Sequence, residues 1–183
     1  MDWMNELSGL LQQYTGAGAA QAPAAVNDHF DQVAESAPPS ALAGGLAAAF
    51  RSDQTPDFGQ MAGQLFNNSS GQQRAGILNT LIGVAGPTIL SQVLSRTADT
   101  GGGGLSGLID RLRSGQQTEI TPEQAEQIPA DAVAEIAAHA EKKDPSVIDL
   151  VSNFYSEHPT LIKTLGVAAL TIAMSHIAQR RQQ

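Results

Sequence analysis

Apolar residues recur along this chain with the period of a helix, and prolines and glycines punctuate the pattern. Trp3, Leu7, Leu10, Leu11 and Tyr14 fall at i, i+4, i+7, i+8 and i+11, the spacing of one buried stripe on an amphipathic helix. Gly16 and Gly18 end that stripe, the stretch from Thr15 to Gln21 is small and flexible in character, and periodicity resumes after Pro23 with Val26, Phe30 and Val33. Beyond Pro38-Pro39, the segment from Leu42 to Phe50 is apolar, and Gly44-Gly45 within it either weakens a helix or lets another backbone come close. Phe58, Met61, Ala62, Leu65 and Phe66 make the next stripe, stopped by Asn67-Asn68. Ser70 followed by Gln73 offers a capping box for a helix carrying Leu78, Leu81 and Ile82. Gly86-Pro87 interrupts it, and Ile89, Leu90, Val93 and Leu94 add a short further helix.

The same template returns three times in the second half: Leu105, Leu108, Ile109 and Leu112; Val133, Ile136, Ala137 and Ala140; Val147, Leu150, Val151 and Phe154. No stretch sustains a period-two alternation, so strands are not supported. Eight of the nine prolines stand at or just before the start of such a segment, and Thr55-Pro56, Thr121-Pro122 and Asp144-Pro145 place a capping oxygen directly before the ring. The fold class expected is all-α, a multi-helix bundle of short helices. Four consecutive glycines within residues 100–104 make a joint, which divides the chain into an N-terminal helical region, 1–99, a Gly-rich linker, 100–104, and a C-terminal helical region, 105–183.

From Leu161 to Ala178 apolar or small residues lie on every face, with Leu161, Leu165 and Ile172 on one side and Ile162, Ala169 and Ala173 on another. A helix apolar all round belongs inside a bundle or in lipid. The 12 uncharged residues from Thr164 to Ser175 fall short of the roughly 18 to 20 that a spanning helix needs, so a buried central helix is expected. Gly166, Ala169 and Ala173 suit close helix packing. Leu161, Leu165, Gly166, Ala169, Ile172 and Ala173 are therefore the expected interaction residues. Leu150 and Leu165 are expected to sit in apolar seams that an aspartate would break.

Composition narrows the functions. Only 4% of residues are aromatic and 42% are hydrophobic, so the core must be built from Leu, Ile, Val and Ala with helices close together, and burial against a second copy becomes plausible. A net charge of −8 gives no basic surface for a phosphate backbone, which disfavours nucleic acid. The absence of cysteine excludes disulfides, thiolate metal sites and thiol nucleophiles. The first six residues carry no basic n-region, no secretory signal is visible, and cytoplasm is the default compartment.

Little of the chain looks catalytic. Asp131, Glu135 and His139 recur every four residues and could present three ligands from one helix face, but a bundle di-metal site wants a matching Glu-x-x-His on a second helix and none occurs. That stripe reads as solvated, and His139→Ala as nearly silent. His29, His139, His158 and His176 are scattered without a positioned partner. The glycine run lacks the lysine of a phosphate-binding loop, since Arg111 lies too far along the next helix. Arg180-Arg181 suits the C-terminal end of a helix dipole, and two basic residues attract a membrane only weakly. No catalytic or metal residues and no cofactor are expected.

Residues Glu119-Ile120-Thr121-Pro122-Glu123-Gln124-Ala125, followed by Asp131-Ala132-Val133-Ala134-Glu135-Ile136-Ala137, resemble a segment of the YidB-like family of small bacterial proteins, a Ser/Thr-Pro-Glu-Gln turn before an acidic-start helix. Gly102 to Leu108 is similar to that family's Gly-rich lead into a Leu-rich helix. The resemblance covers roughly residues 101–140 and implies an all-helical bacterial protein with no catalytic residues to carry over. The expected function is non-enzymatic, helix-mediated self-association or another protein–protein contact. The alternatives are a peripheral membrane-surface protein using Leu161 to Ile177, and a helical domain holding a small ligand or metal.

Overall fold

A computed structural model describes residues 8–14, 25–98, 105–116 and 119–180. Among them are twelve α-helices and no strand, so the protein is all-α. The helices are α1 (Ser8–Leu11), α2 (Val26–Ser36), α3 (Pro39–Phe50), α4 (Phe58–Asn67), α5 (Gly71–Ala85), α6 (Pro87–Ala98), α7 (Ser106–Arg113), α8 (Pro122–Glu126), α9 (Ala130–Lys143), α10 (Val147–Ser156), α11 (Pro159–Ile162) and α12 (Val167–Arg180). Single 3₁₀ turns, Gln12–Tyr14 and Lys163–Leu165, follow α1 and α11. Trp3, Leu7, the stretch 15–21, Pro23, the glycine run 100–104 and Arg181 lie outside the described residues.

Proline marks the helix starts. Pro39, Pro87, Pro122 and Pro159 are the first residues of α3, α6, α8 and α11, Pro38 and Pro129 are N-caps, and Pro56 and Pro145 stand two residues ahead of α4 and α10. The expected capping box forms, with Gln73 Oε1 accepting from Ser70 N at 2.9 Å, and a second forms where Gln124 Oε1 accepts from Thr121 N at 3.1 Å, each returned by a longer bond to the hydroxyl. Thr55 and Asp144 do not cap the N-termini of the helices that follow them. Thr55 Oγ1 donates to Ala49 O at 2.6 Å and Ser52 O at 3.1 Å, closing the C-terminal end of α3. Asp144 Oδ1 accepts from Ser146 N at 2.9 Å in the turn before α10, and this bonding holds its carboxyl below the ordinary 3.8.

Packing groups residues 1–57 with 152–183 as one compact unit and residues 58–151 as a second. This division differs from one at residues 100–104, because α6 and α7, on either side of the glycine run, pack against each other within the second unit. Their stripes, Leu90, Val93 and Leu94 with Leu108, Ile109 and Leu112, are buried.

In the second unit α4 crosses α9 at close range. A Cβ on Gly59 would stand 2.5 Å from Ala134 O, and one on Gly63 would stand 2.9 Å from Ala130 O. The Gly59-x-x-x-Gly63 face of α4 therefore lies on the Ala130, Ala134, Ala138 face of α9, with Phe58, Met61, Ala62, Leu65 and Phe66 buried around it. Arg74 closes the end of α4: Nε donates to Phe66 O and Ser69 O, both at 3.0 Å, Nη2 donates to Asn67 O at 2.8 Å, and the guanidinium stands 5.1 Å from the Phe66 ring centroid. Asn79 pairs its amide with both backbone groups of Ile120, at 2.7 and 3.2 Å, tying the approach to α8 onto α5. Leu150, expected in a seam, is instead 45% exposed, and Val147, Ile148 and Val151 carry the buried face.

In the first unit α3 and α12 run past each other in opposite directions. Gly44 lies against Arg180, Gly45 against Ala173 and Ile177, and Ala48 shares a groove with Val167 and Thr171. Around this crossing Leu11, Tyr14, Phe30, Val33, Leu46, Phe50, Leu170 and Met174 are buried. Lys163 Nζ donates to Asp31 Oδ2 at 2.7 Å, fastening the turn before α12 to α2. The continuous terminal helix expected from Leu161 is broken. Gly166 adopts φ 91°, which a Cβ disfavours, and α12 begins only at Val167. Nor is α12 covered all round. Ala169, Leu170, Ala173, Met174 and Ile177 are buried, while Gly166, Val167 and Ala168 are exposed.

Candidate interaction site

The open side of α12 borders a groove of about 670 Å³ whose other wall is the end of α3 and the segment after it. Ala48, Ser52 and Gln54 line one side and Val167, Ala168, Thr171, Ile172, Ser175, His176 and Gln179 the other. Ala168, Ile172, Ser175 and Gln179 follow one another at i, i+4, i+7 and i+11, so the helix period that buries Ala169 and Ala173 also sets this second stripe facing out. The groove is shallow in side-chain volume, and Val167 at its lip is 46% exposed.

Its polar groups are mostly neutral. Thr171 Oγ1 donates back to Val167 O at 2.8 Å. Ser175 Oγ is shielded from solvent and has no hydrogen-bond partner among the described residues, although a serine there can ordinarily bond the carbonyl one turn back. Partial burial and the nearby Arg180 guanidinium lower the pKa of His176 below the ordinary 6.5. Among the described residues no carboxylate lines the groove.

The six residues expected to mediate interaction are placed unequally. Ala169 and Ala173 are buried, with Ala173 packed under Gly45 of α3, and Leu165 is nearly covered. Leu161 is half-buried and Gly166 is exposed at the break. Only Ile172 lines the groove. The sequence does not single out the remaining lining residues of α12, because a segment apolar on every face offers no preferred side; the small-residue stripe Ala168, Ile172, Ser175 carries the signal.

Other candidate chemistry is engaged locally. Glu135 Oε1 accepts from Arg96 Nη1 at 2.6 Å and stands 3.9 Å from His139 Nε2, while Asp131 is exposed. Among the described residues no three His, Asp or Glu side chains gather in a way that could hold a metal. His29 Nδ1 meets the Tyr14 hydroxyl at 2.9 Å, and burial raises the pKa of that phenol. The His158 ring packs against Phe154 with centroids 5.5 Å apart. A second cleft, of about 590 Å³ in the other unit, lies between the α5–α6 elbow and His139, Lys142 and Lys143, and there Lys143 Nζ donates to Ala85 O at 3.3 Å. Among the described residues no single helix is long and apolar enough to cross a membrane; α5 and α6 together pass on length and composition but bend by 117°. Compared with known proteins, the chain matches no family model, no curated protein and no solved structure.

Proposed function

We propose that this protein is non-enzymatic and works by helix-mediated association with copies of itself through the uncovered side of α12. The observation that carries this reading is the groove beside Ala48: an exposed valine, a half-buried isoleucine and two alanines stand along it without a carboxylate among them. Small side chains let a second helix approach closely, and covering Val167 and Ile172 removes apolar surface from water. Among the described residues lining the groove no carboxylate stands to orient His176 as a general base, and none completes a relay with the neighbouring Ser175. The resemblance of residues 101–140 to YidB-like proteins points the same way, toward a helical protein without a catalytic set.

Light scattering on purified protein at tens of micromolar tests this. The expected mass is twice the 19.0 kDa of the chain. Val167→Asp, at an exposed position, should return the protein to monomer with its helical circular dichroism unchanged. A wild-type protein that stays monomeric at that concentration refutes self-association.

A further inference from the structure

Resting on that reading, we infer that the occupant of the groove is the same groove of a second copy, turned about a two-fold axis so that the two α12 helices run antiparallel. The two ends of the groove differ in charge. At the Val167 end it is walled by Ser52 and Gln54, which flank the exposed Asp53, and the segment 51–57 carries Asp53 and Asp57 against one Arg51. At the other end stands His176, with Arg180 one turn beyond it and its guanidinium over Gly44 of α3, and α12 contains neither aspartate nor glutamate. The lining of the groove is thus uncharged apart from His176, and opposite charges stand just beyond its two ends, Asp53 at one and Arg180 at the other.

Such a polarity selects a register. Parallel superposition of two copies sets like ends together, whereas a two-fold antiparallel arrangement sets Asp53 of each copy toward Arg180 of the other, twice per dimer. The whole chain carries −8, so two copies repel at long range, and a neutral seam with opposed charged ends is the part of the surface where that repulsion is locally reversed. The centre of the seam, near Ile172, then meets itself across the axis.

Charge reversal tests the register. Asp53→Arg or Arg180→Glu alone places like charges opposite each other and should raise the dimer Kd by about 3- to 30-fold at low salt, the range for two exposed ion pairs. The doubly reversed chain restores attraction and should recover the wild-type Kd, and added salt should compress all three differences. Because the chain contains no cysteine, Ile172→Cys provides an independent reading: mild oxidation should give a disulfide-linked dimer in good yield. A wild-type dimer that ignores both single reversals, together with an Ile172→Cys protein that fails to crosslink, overturns this register while the association reading stands. A wild-type monomer overturns both.

Discussion

Gly59→Ala and Gly83→Ala are the same chemical change in the same unit, and the structure assigns them opposite signs. Both glycines are helical, and replacing a helical glycine by alanine favours folding by about 0.5 to 1 kcal/mol through backbone entropy and propensity. At Gly83, on the exposed side of α5, an added methyl meets nothing within 4 Å, so that gain stands alone. At Gly59 the methyl would lie 2.5 Å from Ala134 O and 3.3 Å from Ala138 Cβ. The carbonyl belongs to the α9 backbone and has no rotamer to escape into. To reach an ordinary carbon–oxygen contact of about 3.3 to 3.6 Å the two helices must separate by most of an ångström. That gap loosens the packing of α4 on α9, at an overpacking cost of about 1 to 3 kcal/mol. The net for Gly59→Ala is a loss of up to about 2.5 kcal/mol. Thermal unfolding followed by circular dichroism should move down by several degrees for Gly59→Ala and up by a few degrees for Gly83→Ala. A Gly59→Ala protein that melts at or above wild type would refute the idea that this crossing is held at backbone contact.

Three further outcomes follow from named contacts. Arg74→Met should destabilise the protein by about 1 to 3 kcal/mol in urea unfolding, because three carbonyls at the end of α4 lose a charged donor that a thioether cannot replace. His176 has a lowered pKa in the fold, so the unfolded chain takes up its proton first as pH falls; stability should be unaffected above about pH 7.5, decline as pH drops through 6.5 toward the lower folded value, and level off below it, a decline that His176→Gln should remove in melts run across that range. Leu150→Asp should be nearly neutral in the same urea assay, whereas Val151→Asp, one residue on but fully buried, should prevent cooperative folding.

The helical architecture was legible in the sequence because its signals are local. A proline that has lost its N–H and a serine or glutamine that supplies an oxygen act within one turn, so the two capping boxes and the starts of α3, α6, α8 and α11 could be read without knowing any neighbour. The break at Gly166 was missed for a related reason: among so many small residues one glycine gives no warning that its φ will be positive. Grouping by contact was not legible, because burial of Leu90 and Leu94 against Leu108 and Leu112 depends on which stripes meet, and the glycine run lying between them in sequence says nothing of that. Leu150 shows the same limit at one residue. It fits the i, i+3, i+4 template with Val147 and Val151, yet Ile148 takes the buried place beside them and the template cannot distinguish the two.

The site has the same logic carried one step further. A chain with so few aromatic residues reaches native packing density by bringing helix backbones together over glycine and alanine, at Gly45 on Ala173 in one unit and at Gly59 on Ala134 in the other. Helices joined over such narrow contacts bury a narrow strip of each surface. α12 spends Ala169 and Ala173 on α3, and the next stripe round the helix, Ala168, Ile172 and Ser175, is left at the edge of the contact with the same small-residue character. The composition that makes α3 and α12 fit closely is therefore also what leaves α12 a second face able to accept another helix in the same way. A bulkier core would have filled the groove from within. On this argument Ala48→Leu, which fills the groove from the α3 side, should leave the monomer as stable as wild type or slightly more so and yet abolish the dimer in light scattering; an Ala48→Leu protein that dimerises as before would show that the groove is not the contact.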